Sequence, residues 1–124
     1  MSYVHPTVLI VDDDHEPRDK LAQLIRAEGY AVDTARNGQE ALEKLRAGAR
    51  PCIILLDLQM PDMDGFEFRH VQLKDPDFQD IPIVLYSAGQ SLSDYAELLG
   101  AAAFIQKPTE LARLMVLIRK HCLK

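Results

Sequence analysis

The chain has 124 residues, of which 48% are hydrophobic and 27% charged. That is the balance of an average soluble domain, long enough to bury a core of its own, and it excludes intrinsic disorder, collagen-like repeats and disulfide scaffolds. Nineteen acidic side chains against 14 basic ones give a net charge of −5, which argues against nucleic acid or an anionic membrane surface as the main partner, since both demand a basic face.

Residues 8–11 (Val-Leu-Ile-Val) are apolar and β-branched, which predicts a short strand buried on both faces. Pro17 suits the first turn of a helix, where its missing N–H costs nothing. Leu21, Leu24 and Ile25 make the inward stripe of that helix, and Gly29 stops it. Residues 30–35 predict a second, weaker strand ended by Asn37-Gly38, and 39–47 a helix with Ala41, Leu42 and Leu45 inward, closed by Gly48. Residues 53–56 are the clearest buried strand, followed by a loop marked by Pro61, Asp62, Asp64 and Gly65. A third helix is expected over 66–73, then a polar connection over 74–80 and a fourth strand over 81–86 with Pro82 at its start. Ser93 is expected to cap a short helix through Leu99, ended by Gly100. A fifth strand follows over 102–106, and Thr109 is expected to cap a last helix that runs to the C-terminus.

Five strands alternating with five helices imply a mostly parallel sheet covered on both sides. The polar residues cluster where the strands end: Asp12, Asp13 and Asp14 after the first, Asp57 after the third, Ser87 after the fourth, Lys107 after the fifth. An open parallel sheet binds ligands in the crevice outside the carboxyl ends of its strands. In the order 2-1-3-4-5, strands one and three are neighbours about 4.8 Å apart, so Asp12, Asp13 and Asp57 converge; Lys107, roughly 10 Å away, can reach across. Carboxylates about 4 Å apart repel by roughly 1 kcal/mol in water and several-fold more near a protein surface. Taken singly, each of these residues has an ordinary reading: a solvated turn for an Asp, a surface lysine, a capping hydroxyl. Together they ask for a hard divalent ion, Mg²⁺ being the natural choice, beside an anion.

Four segments resemble the receiver domain of two-component response regulators: VLIVDDD at 8–14, IILLDLQMPDMDG at 53–65, IPIVLYSA at 81–88 and FIQKP at 104–108. The resemblance spans nearly the whole chain. It implies an α/β, flavodoxin-like (βα)₅ fold with the sheet order 2-1-3-4-5, one domain over residues 1–124 with its core at about 7–122. It also implies roles. Asp57 is the phosphoacceptor, a carboxylate nucleophile that takes a phosphoryl group from a histidine kinase or a histidine phosphotransfer protein. Asp12 and Asp13 hold Mg²⁺ with Asp57 and the backbone carbonyl of Gln59. Lys107 pairs with the phosphoryl oxygens, and Ser87 and Phe104 are the switch residues. Asp14 is left outside the ligand set. Phosphoryl transfer asks the protein mainly for in-line positioning and charge neutralisation, and Ala88 is small enough to leave an approach to Asp57. Such a protein is a regulatory phosphoacceptor rather than an enzyme.

Some positions depart from the family's commonest pattern. Ser87 stands where Thr is more frequent, Phe104 where Tyr is frequent, and Thr109 where an aromatic is common. The segment from 87 to 107 is slightly short, so the fourth helix is expected to be reduced, and Lys107-Pro108 is a candidate cis bond. On the last helix Leu111, Leu114, Met115, Ile118 and Cys122 form the core stripe. Val116, Leu117 and Leu123 fall outside it beside Arg113, Lys120 and Lys124. With helix 4 and strand 5, that surface is the expected docking face for a downstream protein or a second copy.

Cys52 and Cys122 fit no metal-ligand spacing, and each is expected as a small apolar residue near the core rather than half of a disulfide. No leader of charged then apolar residues opens the chain, and the apolar runs are too short to cross a bilayer. A cytoplasmic, reducing compartment with no membrane partner is expected.

Other readings fit less well. A haloacid-dehalogenase-type phosphatase needs Thr or Val where Glu16 stands, a P-loop needs GxxxxGK[ST], and a flavodoxin would not place three aspartates at a flavin phosphate. The run His15-Glu16-Pro17-Arg18 looks like a histidine-kinase phosphobox, but Pro17 breaks the helix that box requires. The serious rival is a receiver fold used only as a protein-binding module, never phosphorylated, and the intact set Asp13, Asp57, Ser87 and Lys107 argues against it.

Overall fold

Strand and helix alternate five times in the computed structural model, which describes residues 7–107 and 111–122. The order is β1 (Thr7–Val11), α1 (His15–Ala27), β2 (Ala31–Ala35), α2 (Gly38–Arg46), β3 (Ile53–Leu56), α3 (Gly65–Leu73), β4 (Ile83–Ser87), α4 (Leu92–Leu99), β5 (Ala103–Gln106) and α5 (Leu111–His121). The strands form one parallel sheet in the order β2-β1-β3-β4-β5, as expected.

Side chains alternate across the sheet and build two cores. Leu9, Val11, Ile54, Leu56, Ile83 and Leu85 face one side and pack against α2, α3 and α4 through Leu42, Leu45, Phe68 and Leu92. Val8, Ile10, Ile53, Leu55, Val84 and Tyr86 face the other and pack against α1 and α5 through Leu21, Ile25, Leu114 and Ile118. The central strand β3 is buried along its whole length, which is why its sequence is an unbroken apolar run rather than an alternating one. Asn37 caps α2 by accepting the Glu40 N–H at 2.8 Å, and Asp64 caps α3 by accepting the Glu67 N–H at 2.9 Å.

The structure corrects several details. Leu24 is not part of the buried stripe of α1 but 42% exposed; Leu21, Ala22 and Ile25 are the buried positions. At 100° per residue those three centre on a line about 100° away from Leu24, which leaves it on the rim. The cap of α4 is not Ser93, which lies within the helix. The chain enters through Ser91 in the left-handed region (φ 67°), whose side chain makes no capping bond and whose carbonyl accepts the Tyr95 N–H at 3.1 Å. Leu117 is half-buried and packs on the core beneath α5, whereas Val116 is 56% exposed. The Lys107-Pro108 bond, Thr109, Leu123 and Lys124 lie outside the described residues.

Cys52 and Cys122 form a disulfide, with Cα atoms 5.3 Å apart across a sequence separation of 70. Topology brings them together where spacing offered no sign. Cys52 sits just before β3, at the amino end of the strand, and α5 runs antiparallel to the strands, so its carboxyl end and Cys122 return to that same edge of the sheet.

A second unforeseen feature fastens α3 to α4. Arg69 is 7% exposed. Its Nε donates to the Leu99 carbonyl at 2.9 Å, Nη2 to the Gly100 carbonyl at 3.1 Å, and Nη1 to Gln72 Oε1 at 2.8 Å. Gln72 Nε2 in turn donates to the carbonyls of Phe78 and Ile81 at 3.0 and 3.1 Å. Burial pushes the Arg69 guanidinium below its ordinary value. The cation sits at the carboxyl end of α4, where the helix dipole is negative.

Candidate functional site

The ends of β1, β3, β4 and β5 open into one crevice, and the last ladder bonds fix what enters it. Val11 pairs with Leu56, so Asp12 and Asp57 leave the sheet side by side. The Asp57 N–H donates to the Val11 carbonyl, the Asp12 N–H to that of Ala35 and the Lys107 N–H to that of Ser87, each at 3.0 Å. The functional side chains therefore hang from backbone held by the sheet itself.

Asp57 is 7% exposed and both its oxygens are engaged. Oδ1 accepts from Ser87 Oγ at 2.6 Å and from the Gln59 N–H at 3.3 Å; Oδ2 faces Lys107 Nζ at 3.3 Å. Lys107 Nζ also donates to Asp12 Oδ2 at 2.6 Å and lies 5.0 Å above the centre of the Tyr86 ring. Asp12 is 1% exposed; its Oδ1 accepts the Asp14 N–H at 3.0 Å, and its backbone carbonyl accepts from Arg18 Nη1 at 3.2 Å.

Burial pushes the Asp12 carboxyl above its ordinary value; the hydrogen bonds from Lys107 and Asp14 and the Lys107 charge pull it back only in part, and the Asp57 charge adds to the rise. For Lys107, burial works against the ammonium, but the contacts with Asp12 and Asp57 outweigh it and hold the group above the ordinary lysine range. With Nζ 2.6 Å from Oδ2 and a second carboxylate beside it, the charged pair is the state this geometry describes.

One oxygen from each of Asp12, Asp13 and Asp57 lies within 4.8 Å of the others, with Asp13 exposed to solvent and the other two buried. Oxygens on opposite sides of a Mg²⁺ ion stand about 4.2 Å apart, so the three lie close to the span that one ion bridges. An all-oxygen donor group with one solvent-facing member fits a hard divalent cation that keeps some of its waters.

Gly65, read from sequence only as a loop marker, has a steric role here. A Cβ at this position would lie 2.5 Å from the Asp57 carbonyl oxygen and 2.9 Å from Leu58 Cα, so glycine lets α3 start against the peptide that carries Asp57. A cleft of about 150 Å³ lined in part by Gln59, Ser87, Ala88 and Leu92 adjoins the cluster. Phe104 of β5 pairs with Leu85 of β4, two residues below the Ser87–Gln106 pair, and is half-buried with the Arg113 guanidinium 5.5 Å from its ring centre. Asp12, Asp13, Asp57, Ser87 and Lys107 thus come together. Gln59 joins them through its N–H, and Phe104 stands one layer back. Ser87, a switch residue by the resemblance, donates its hydroxyl directly to Asp57.

A five-stranded parallel sheet whose crevice joins a buried aspartate to a hydroxyl, an ammonium and further carboxylates defines a receiver-type domain. The model of the response regulator receiver domain family matches residues 8–119, and the chain belongs to that family, the phospho-accepting module of two-component signalling. It is 37% identical over 114 residues to "Response regulator MprA" of Mycolicibacterium vanbaalenii, which covers 90% of this chain and 48% of that protein. The chain therefore spans about half the length of the curated relatives it matches. Among solved structures it is similar to the chemotaxis protein CheY4 of Vibrio cholerae, with a TM-score of 0.85 and 29% identity over 95% of this chain and 99% of that one. It is also similar to the signal receiver domain of a signal transduction histidine kinase from Syntrophus aciditrophicus, with a TM-score of 0.83 and 29% identity over 94% and 89% of the two chains. Among the described residues no helix is long and apolar enough to cross a membrane.

Proposed function

We propose that Asp57 is the phosphoacceptor and that residues 1–124 work as one receiver domain. The observation that carries this reading is the clamp on Asp57: a hydroxyl on one oxygen and an ammonium on the other, inside a crevice with two more carboxylates. One Asp57 oxygen attacks phosphorus in line while the bond to the donor's nitrogen breaks. Lys107 and Ser87 neutralise and hydrogen-bond the equatorial oxygens, and the β3 backbone holds the carboxylate in place. Asp12, Asp13, Asp57 and the Gln59 carbonyl would hold Mg²⁺, which supplies further neutralisation of phosphoryl charge when bound.

The donor in this reading is a histidine kinase or a histidine phosphotransfer protein. The reader is a downstream protein, or a second copy of this chain, on the face made by α4, β5 and α5, with Ser87 and Phe104 relaying the change. Nucleic acid and membrane are not partners. The domain is a regulatory phosphoacceptor rather than a classical enzyme, and it works in the cytoplasm, where kinases draw on ATP.

Intact-mass spectrometry after incubation with acetyl phosphate tests this, with and without Mg²⁺, on wild type and Asp57→Ala. One phosphoryl adduct that needs both Mg²⁺ and Asp57 is expected. Absence of both the adduct and beryllofluoride binding would overturn the reading and leave a receiver fold that acts only as a binding module.

A further inference from the structure

The cysteine pair takes no part in the phosphoacceptor cluster. Cys52 stands before β3, at the opposite end of the strand from Asp57, and is half-buried; Cys122 follows α5 and is fully buried beside Ile118. A Cα separation of 5.3 Å is within the range a disulfide bridges without backbone movement. The site also accommodates the dithiol, because Cys52 Sγ lies 3.3 Å from the Thr7 carbonyl oxygen, which accepts the Cys52 N–H at 2.9 Å and can take an S–H on its second lone pair. Both oxidation states are therefore served by one backbone arrangement.

We propose that Cys52 and Cys122 are a reversible redox-modification site that ties the carboxyl end of α5 to β3 when oxidised and releases it when reduced. The oxidant class is a peroxide. The Cys52 thiolate attacks one peroxide oxygen, the O–O bond breaks and hydroxide leaves, giving a sulfenic acid. The Cys122 thiolate then attacks the Cys52 sulfur, the S–O bond breaks and a second hydroxide leaves. In sum, two thiols give up two protons and two electrons, and hydrogen peroxide becomes two waters. Reduction runs by exchange with a dithiol: its thiolate attacks the Cys52 sulfur, Cys122 departs as thiolate, and the second reductant thiol resolves the mixed disulfide. Half-buried Cys52 is the reactive partner and buried Cys122 the resolving one. In a reducing cytoplasm bridges of this kind are transient and redox-sensing rather than permanent; that clause alone rests on the proposed function above.

The consequence falls on α5. Leu114, Met115 and Ile118 hold it on one side only, and its outer face carries Val116, Arg119 and Lys120. Closing a loop this long restricts the unfolded chain, so oxidation slows those α5 amides whose exchange requires unfolding by about thirty- to a thousand-fold.

The test takes the purified full chain through dithiothreitol, then hydrogen peroxide, then dithiothreitol again. It reads the free thiols by acid quench, alkylation in denaturant and intact mass, and reads hydrogen exchange across α5 and the acetyl phosphate adduct on unquenched portions of the same samples. We expect two alkylated cysteines, then none, then two again, with every oxidation and reduction step run without denaturant, and α5 exchange slowed in the oxidised sample with no such dependence in Cys52→Ser. Cysteines that stay alkylatable after peroxide, a bridge that opens only in denaturant, or identical α5 exchange in both states would each overturn the proposal. If the adduct and beryllofluoride binding both fail while the thiols cycle, the phosphoacceptor reading falls and the redox site stands; the reverse pattern separates them equally.

Discussion

Replacing Gly65 by Ala tests whether the receiver site depends on backbone contact as well as on its polar side chains. In a helix, Gly→Ala ordinarily stabilises by about 0.5–1 kcal/mol. At Gly65 the added methyl would stand 2.5 Å from the Asp57 carbonyl oxygen and 2.9 Å from Leu58 Cα, both backbone atoms that no rotamer change can remove. Reaching an ordinary contact requires the start of α3 and the Asp57 peptide to separate by close to 1 Å. Overpacking of this kind costs about 1–3 kcal/mol, which exceeds the propensity gain, so a net loss of about 1–2 kcal/mol is expected in urea unfolding at unchanged m. A shift near 1 Å at a reacting group can cost about a hundred-fold in rate, so the acetyl phosphate reaction should slow by one to two orders of magnitude. Gly48→Ala is the control. Its φ of +111° makes the substitution strained, but no atom lies within 4 Å of the new methyl, so stability falls while the phosphorylation rate holds. A Gly65→Ala protein as stable and as quickly phosphorylated as wild type would refute this account of the site.

Arg69→Leu should destabilise the fold by about 2–4 kcal/mol, because the Leu99 and Gly100 carbonyls and Gln72 Oε1 lose their donor; chemical denaturation measures it, and a loss below 1 kcal/mol would contradict it. Lys107 is raised above its ordinary value of 10.5, so its contribution to stability is whole below that pH and is lost as pH rises through the folded-state value. Wild type should therefore exceed Lys107→Met by about 1.5–3 kcal/mol at neutral pH, and the gap should close only in strong alkali; a gap that does not change with pH would count against the pairing. Mg²⁺ at ten times its dissociation constant should stabilise wild type by about 1.4 kcal/mol, read as a rise in Tm. That rise should be weakened in Asp13→Ala, and an equal rise in both proteins would remove Asp13 from the ligand set.

What could be read from the sequence was what repeats at short range or ends at a strand. The apolar runs at 8–11 and 53–56 state their burial directly, and once the strand order is known, the residues immediately after each strand must meet. The convergence of Asp12, Asp57, Ser87 and Lys107 follows from that alone. Features that depend on long-range geometry were not visible. Arg69 looks like a surface residue, since a charged side chain on a helix shows nothing of the carbonyls 30 residues away that bury it. Cys52 and Cys122 carry no mutual signal until the fold carries α5 back to the amino edge of the sheet. Leu24 and Ala22 differ by an angle on a helical wheel that hydrophobicity alone assigns wrongly. The fit of Gly65 against Asp57 is a steric fact about two backbones, and no side-chain pattern encodes it.

The Arg69 clasp has a mechanical corollary. It holds α4 by its carboxyl end alone, whereas the amino end emerges from Gly89 (φ +103°) and left-handed Ser91, next to Ser87. Leu92 and Ala96 keep the helix packed on the core, and a rod hydrogen-bonded at one end but only packed along the rest swivels rather than slides. Over eight residues α4 is about 12 Å long, so a ten-degree turn about Leu99 would sweep Leu92 through about 2 Å while Leu98, beside the pivot, scarcely moved. Any rearrangement that starts around Ser87 is in this way converted into a gradient of displacement along one short helix.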